Sequence, residues 1–141
     1  ATIANDGVRL RPHIVAKRIA PDGTVYTQRP VVEAQVISPQ TALMVTEMME
    51  QTVVEGKVAV VEGYRIAGKS GTAQIPIPGG YDRNATITSF VGFGPLPEPQ
   101  LIILIKLDRP ATSIWAYDTA TPAFQRLASR LFKVLGIPPG G

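Results

Sequence analysis

Lys69-Ser70-Gly71-Thr72 gathers an ammonium, hydroxyls on either side of a glycine, and a side-chain-free backbone step into one short segment. That donor set suits an anionic, peptide-like ligand. Lys69 supplies charge, the hydroxyls of Ser70 and Thr72 fix a carboxylate, and an exposed strand edge adds main-chain hydrogen bonds by β-augmentation. The lead-in Tyr64-Arg65-Ile66-Ala67 and the tail Ala73-Gln74-Ile75 read as extended, half-apolar chain. Gly68 and Gly71 take side chains away where a ligand backbone is to lie against that edge.

The same letters also spell another motif. Gly63 through Ser70 matches G-x-x-x-x-G-K-[ST], and the run Leu101 to Leu107 ends at Asp108, a position for a Mg²⁺-holding carboxylate. A phosphate-binding loop works only where it opens into a helix whose N-terminal N–H groups face the phosphates. Here Gly71, Pro76, Pro78, Gly79 and Gly80 follow, leaving room for about one helical turn. Tyr64, Arg65 and Ile66 favour a strand over a phosphate-cradling turn. A nucleotide site therefore requires a helix starting near Ser70, and a peptide-binding edge requires a strand.

The remaining composition narrows the chemistry. A chain of 141 residues, 45% hydrophobic and 18% charged, is about one globular domain and is not disordered. The net charge of +3 comes from scattered Lys and Arg, with no run longer than Lys17-Arg18, so nucleic acid is not the expected partner. Cysteine is absent, which removes disulfides and Cys-based metal sites. His13 stands without a clustered partner and reads as structural, because metal and triad chemistry need several groups together. No metal and no cofactor are expected. The longest apolar run, Leu101 to Ile105, is too short to span a bilayer, so any membrane link is expected outside this chain.

Positioning such a segment takes a sheet and its cover. Ala1 to Asn5 reads as the tail of a helix stopped by Asp6-Gly7, and Ile14 to Ile19 and Thr24 to Gln28 as a hairpin around Pro21-Asp22-Gly23. Ser38-Pro39 is an N-cap with Pro at the first helical position. Val45, Met48, Met49, Thr52 and Val53 follow at helical spacing until Gly56, with the methionines, Met44 included, as core filler. A second helix starts at Thr121-Pro122, carries Phe124, Leu127, Ala128, Leu131, Phe132 and Leu135 on one stripe, and ends at Gly136. Between the helices lie strands over Tyr64 to Ile75, Thr86 to Phe93 and Leu101 to Leu107. Pro76 to Arg83 reads as a longer polar loop and Pro95 to Gln100 as a hairpin connection. The third strand is apolar on both faces, which predicts a central or doubly covered position. The predicted class is α+β, an antiparallel sheet with flanking helices.

Ala4-Asn5-Asp6-Gly7, Arg11-Pro12-His13-Ile14-Val15, Gly63 through Gln74 and Ser89-Phe90-Val91-Gly92-Phe93 together, in this order and spacing, closely resemble the transpeptidase domain of class B penicillin-binding proteins. The resemblance runs through most of the chain. Lys69-Ser70-Gly71 is a hydroxyl variant of Lys-Thr-Gly, the third signature of this active-serine superfamily. It implies a serine β-lactamase-like fold and a D,D-transpeptidase reaction. A serine is acylated by the D-Ala-D-Ala end of a peptidoglycan stem peptide, and an amine from a neighbouring stem then takes the acyl group. β-Lactams acylate the same serine. Carried over, Lys69 sits in the central hydrogen-bond network, Ser70 and Thr72 bind the ligand carboxylate, the Thr72 N–H is an oxyanion-hole donor, and Gly71 keeps the edge open. The catalytic assignments are thus Lys69 and Thr72, and the substrate-binding ones Ser70, Gly71 and Thr72.

The departures matter as much. None of Ser38, Ser70, Ser89, Ser113 and Ser129 begins Ser-x-x-Lys or Ser-x-Asn. In the family both signatures lie upstream of the Lys-Ser-Gly strand. Residues 1–141 therefore read as the carboxy-terminal part of a transpeptidase domain, inactive alone, whose partners are stem peptides, β-lactams, the missing upstream half and, for the parent protein, other cell-wall synthesis proteins. The resemblance places that parent outside the cytoplasm on a membrane anchor. Gly63 to Gly68 and Ser89 to Gly92 lean towards the division type. A non-catalytic module binding a partner peptide along the same edge is the other reading.

Overall fold

The fold is that of a computed structural model, which describes residues 1–139. The chain divides into two units, Ala1–Met44 and Val45–Gly141.

In the first unit short local signals make short elements. Ile3–Asn5 forms one 3₁₀ turn, ended by Asp6 and Gly7 at φ 50 and 81, so the expected helix tail is a single tight turn. Strand β1 (Val8–Leu10) pairs antiparallel with β4 (Val32–Gln35), a pairing across distant residues that no local pattern announces. Between them, β2 (Lys17–Ile19) and β3 (Val25–Thr27) form the expected hairpin, narrower than its apolar run because Ile14 and Val15 are exposed and unpaired. Its turn is closed by the Thr24 N–H on Asp22 Oδ1 at 2.9 Å, which holds the Asp22 carboxyl below its usual value. The N-cap at Ser38 is also as expected: its Oγ accepts the Thr41 N–H at 3.1 Å and starts helix α1 (Pro39–Glu55).

The second unit is a three-stranded antiparallel sheet, β5 (Ala67–Ile77), β6 (Gly80–Gly94) and β7 (Leu101–Asp108), in the order β5-β6-β7. Helix α2 (Ala120–Val134) packs on β6 and β7. Among the described residues no helix is long and apolar enough to cross a membrane. The buried stripe of α2 is Ala120, Phe124, Ala128 and Phe132, an i, i+4 row narrower than the predicted one; Leu127 and Leu135 lie outside it and are exposed. Phe124 meets Phe90 of β6 with ring centroids 4.7 Å apart, and Phe132 stacks on Tyr64 at 4.5 Å. At the far end the Ile137 N–H reaches Phe132 O and the Gly136 N–H reaches Lys133 O, a Schellman closure made possible by Gly136 at φ 64.

The structure corrects four further expectations. β5 begins at Ala67 and not at Tyr64, because Tyr64 is bridged to Val61 and its ring belongs to the core. Pro76 to Arg83 is a tight hairpin: Ile77 pairs with Gly80, and a bulge between Gln74 and Pro76 absorbs the proline. β7 is an edge strand and β6 the central one. Alternate residues of β7 face the core, while Ile102 and Leu104 on the other face are 44% and 64% exposed. The methionines are not all core filler, since Met44 and Met48 are 55% and 61% exposed on α1.

Candidate functional site on the edge strand

Because β5 is an edge strand, residues of one parity turn their N–H and C=O groups away from β6. Lys69, Ser70, Gly71 and Thr72 all lie on it, opposite Val91, Phe90, Ser89 and Thr88 of β6. Strand alternation places Ser70 and Thr72 together on the side that α2 covers further along the sheet, and Lys69 and Gly71 on the other side. α2 lies over β6 and β7, leaving the β5 rim open, so the Thr72 side chain remains exposed and Ser70 half-buried. The Lys69 ammonium is exposed and donates to Ser70 O at 3.0 Å. A strand carbonyl points in the plane of the sheet, so this bond brings the charge round to the level of the strand.

The glycines divide by role. A Cβ on Gly68 would fall 2.5 Å from the Phe90 ring, so Gly68 serves core packing and does not clear space for a ligand, contrary to the expectation. A Cβ on Gly71 would meet only the Ser89 hydroxyl, at 2.8 Å. Gly71 is thus the one whose absent side chain opens the surface of the strand.

The sequence did not single out the segment Ser113 to Thr119, which links β7 to α2 and borders Thr72. The Ala116 N–H donates to Thr72 Oγ1 at 3.2 Å. Those residues are 44 positions apart, and only the sheet topology joins them. At the head of β5, Arg65 grips Glu50 of α1 through two bonds of 2.7 Å, which raises the Arg65 pKa further. A cleft of about 470 Å³ lies in the first unit between Arg9, Arg11, His13 and Glu33, and none of Lys69, Ser70, Gly71 and Thr72 lines it. Glu33 answers both arginines there, at 3.1 and 3.4 Å. Among the described residues no group of three or more His, Cys, Asp or Glu is placed to hold a metal.

The strand at Ser70 excludes the nucleotide reading, which needs a helix there. Asp108 sits two strands away and pairs with Arg109 at 3.1 Å. A family profile described as the penicillin-binding protein transpeptidase domain matches residues 1–129. The chain belongs to the penicillin-binding protein transpeptidase family. Among the curated relatives, penicillin-binding protein PbpB of Mycolicibacterium smegmatis is 38% identical over 150 residues, covering 97% of this chain and 23% of that protein. Stage V sporulation protein D of Bacillus subtilis is 36% identical over 140 residues, covering 96% and 22%. Among solved structures, penicillin-binding protein 3 of Mycobacterium tuberculosis, complexed with aztreonam, superposes with a TM-score of 0.84 at 34% identity, over 99% of this chain and 34% of that one. The chain therefore spans about a quarter of the length of the curated relatives it matches. The expected α+β architecture and the class B resemblance both hold.

Proposed function

We propose that residues 1–141 supply the substrate-binding strand of a peptidoglycan D,D-transpeptidase that works through an acyl-serine and is acylated by β-lactams. The carrying observation is that Lys69 to Thr72 occupy a free sheet edge with the Ser70 and Thr72 hydroxyls on one side of it. A stem peptide ending in D-Ala-D-Ala lies along that edge as an added strand. Its carboxylate takes the two hydroxyls, and the Lys69 charge lies beside them. In the acylation step a serine oxygen from the upstream half bonds to the carbonyl carbon of the penultimate residue. The peptide C–N bond then breaks, and terminal D-Ala leaves as the amine. Negative charge builds on the carbonyl oxygen before that bond breaks, and in this reading the Thr72 N–H stabilises it. Attack by a neighbouring stem's amine releases the serine and completes the cross-link.

The nucleophile and its lysine come from the upstream half of the domain, in a parent protein held at the outer face of the cytoplasmic membrane. Supporting this incompleteness, no serine of the chain has a lysine three residues on, and β7 leaves Ile102 and Leu104 uncovered. The test is intact-mass spectrometry after incubation with benzylpenicillin. The complete domain gains one penicilloyl adduct and residues 1–141 alone gain none. A stable adduct on Ser70 overturns the assignment of roles.

A further inference from the structure

A threonine hydroxyl has one proton to give and two lone pairs to receive with. At Thr72 one lone pair is taken by the Ala116 N–H, and among the described residues no acceptor takes the proton. An amide N–H can only donate, so it repels the hydroxyl proton and turns it away from the Ser113 to Thr119 segment, towards the open rim of β5. Among the described residues Ser70 has no such partner at its hydroxyl, which remains free to rotate.

The amide itself is held from several sides by bonds that do not involve β5. Thr86 Oγ1 donates to Ile114 O, and the Trp115 N–H donates to Ser113 Oγ at 3.2 Å. Ser113 Oγ donates to Asp118 Oδ2 at 2.8 Å, and Thr119 Oγ1 to Trp115 O at 2.7 Å. The Thr121 N–H closes on Ala116 O at 3.0 Å, and Ala116 is 2% exposed. A donor fixed this firmly costs little reorganisation when a ligand arrives.

We propose that the main-chain amide of Ala116 is a positioning group for the ligand carboxylate, presetting the Thr72 hydroxyl as a donor. The inference rests on the substrate-strand reading above and deepens it. It selects at that point for a group that only accepts hydrogen bonds, a carboxylate, over a neutral group that must also donate. Ser70 is the adaptable contact and Thr72 the fixed one.

The experiment uses the complete transpeptidase domain with Ala116 replaced by lactic acid, which turns the amide into an ester and deletes the N–H while keeping the side chain. The rate of acylation by benzylpenicillin falls about three- to ten-fold, the worth of one neutral hydrogen bond. The loss vanishes in a Thr72→Val background and for the same penicillin lacking its carboxyl group, which offers the hydroxyl no acceptor at that point, and it is kept with Thr72→Ser, which retains the hydroxyl. Ser113→Ala, which loosens the segment without touching the N–H, gives a smaller loss that also vanishes with Thr72→Val. A purely structural amide would slow both ligands in both backgrounds, and that result overturns the proposal, as does an unchanged rate in the ester variant. If Thr72→Val itself leaves benzylpenicillin acylation untouched, the substrate-strand reading fails and takes this proposal with it.

Discussion

Lys69 and Thr72 are close in sequence and differ in what their loss removes. In the complete domain Lys69→Ala deletes the proposed charge-assisted ligand contact, worth about 1.5–3 kcal/mol, so the second-order acylation rate is expected to fall roughly 10- to 100-fold. Lys17→Ala, an exposed change in the β2–β3 hairpin, leaves the rate within about twofold. Thr72→Val is expected to fall between them, because the hydroxyl goes while the proposed oxyanion donor, a main-chain N–H, stays. Thermal stability measured alongside separates lost chemistry from unfolding. Gly68 gives the opposite pattern: Gly68→Ala drives a methyl into the Phe90 ring and destabilises by about 1–3 kcal/mol, read from the denaturation midpoint, with the acylation chemistry of the folded fraction retained. The sequence shows glycines beside the motif but not their direction, and the direction decides that Gly68 belongs to the core and Gly71 to the open surface.

Helices and hairpins with local punctuation were legible, and those set by distant partners were not. Ser38-Pro39 and Gly136 carry their own start and stop chemistry, so α1 and α2 fall where the residues place them. Ser38→Ala should therefore cost about 1 kcal/mol in urea unfolding through the lost bond to the Thr41 N–H. β1 and β4 pair across the intervening hairpin, and β7 reads as doubly apolar although one of its faces is open; neither can be decided within a local window. The same holds for Ala116, whose contact with Thr72 has no sequence signal beyond a short linker before α2. The β2–β3 hairpin offers a pH test with a definite sign. The Thr24 N–H favours the ionised Asp22, so its folded pKa lies below the unfolded one. The contribution is present above the unfolded value and is lost as pH falls through the lowered folded value. Titration of the Asp22 carboxyl by NMR in the folded chain and in the urea-unfolded chain reads that shift.

For the chain as a whole, exposed apolar surface is the dominant property outside the core. Leu104 at 64% and Ile102 at 44% lie beside the unpaired edge of β7, a surface of the type that recruits other strands. Residues 1–141 alone should self-associate at micromolar concentration, measured by analytical ultracentrifugation. Leu104→Lys should shift them towards monomer by placing charge on that face. In the complete domain the same substitution should lower the melting temperature, because the upstream half then has to bury the charge. A monomeric wild-type chain unaffected by Leu104→Lys would show that this face needs no cover.

The bulge between Gln74 and Pro76 has a consequence for how the strand tolerates change. Along β5 the Ser70 and Thr72 side chains and that of Lys69 alternate sides, so a slip of one residue would exchange them and leave every letter of the motif intact but facing the wrong way. The hairpin tip at Pro78-Gly79 is where insertions are most easily accepted. A bulge set between that tip and Thr72 can gain or give up a residue before the disturbance reaches the motif. It acts as a slack joint, letting the tip vary in length while the phase of Lys69, Ser70 and Thr72 is kept.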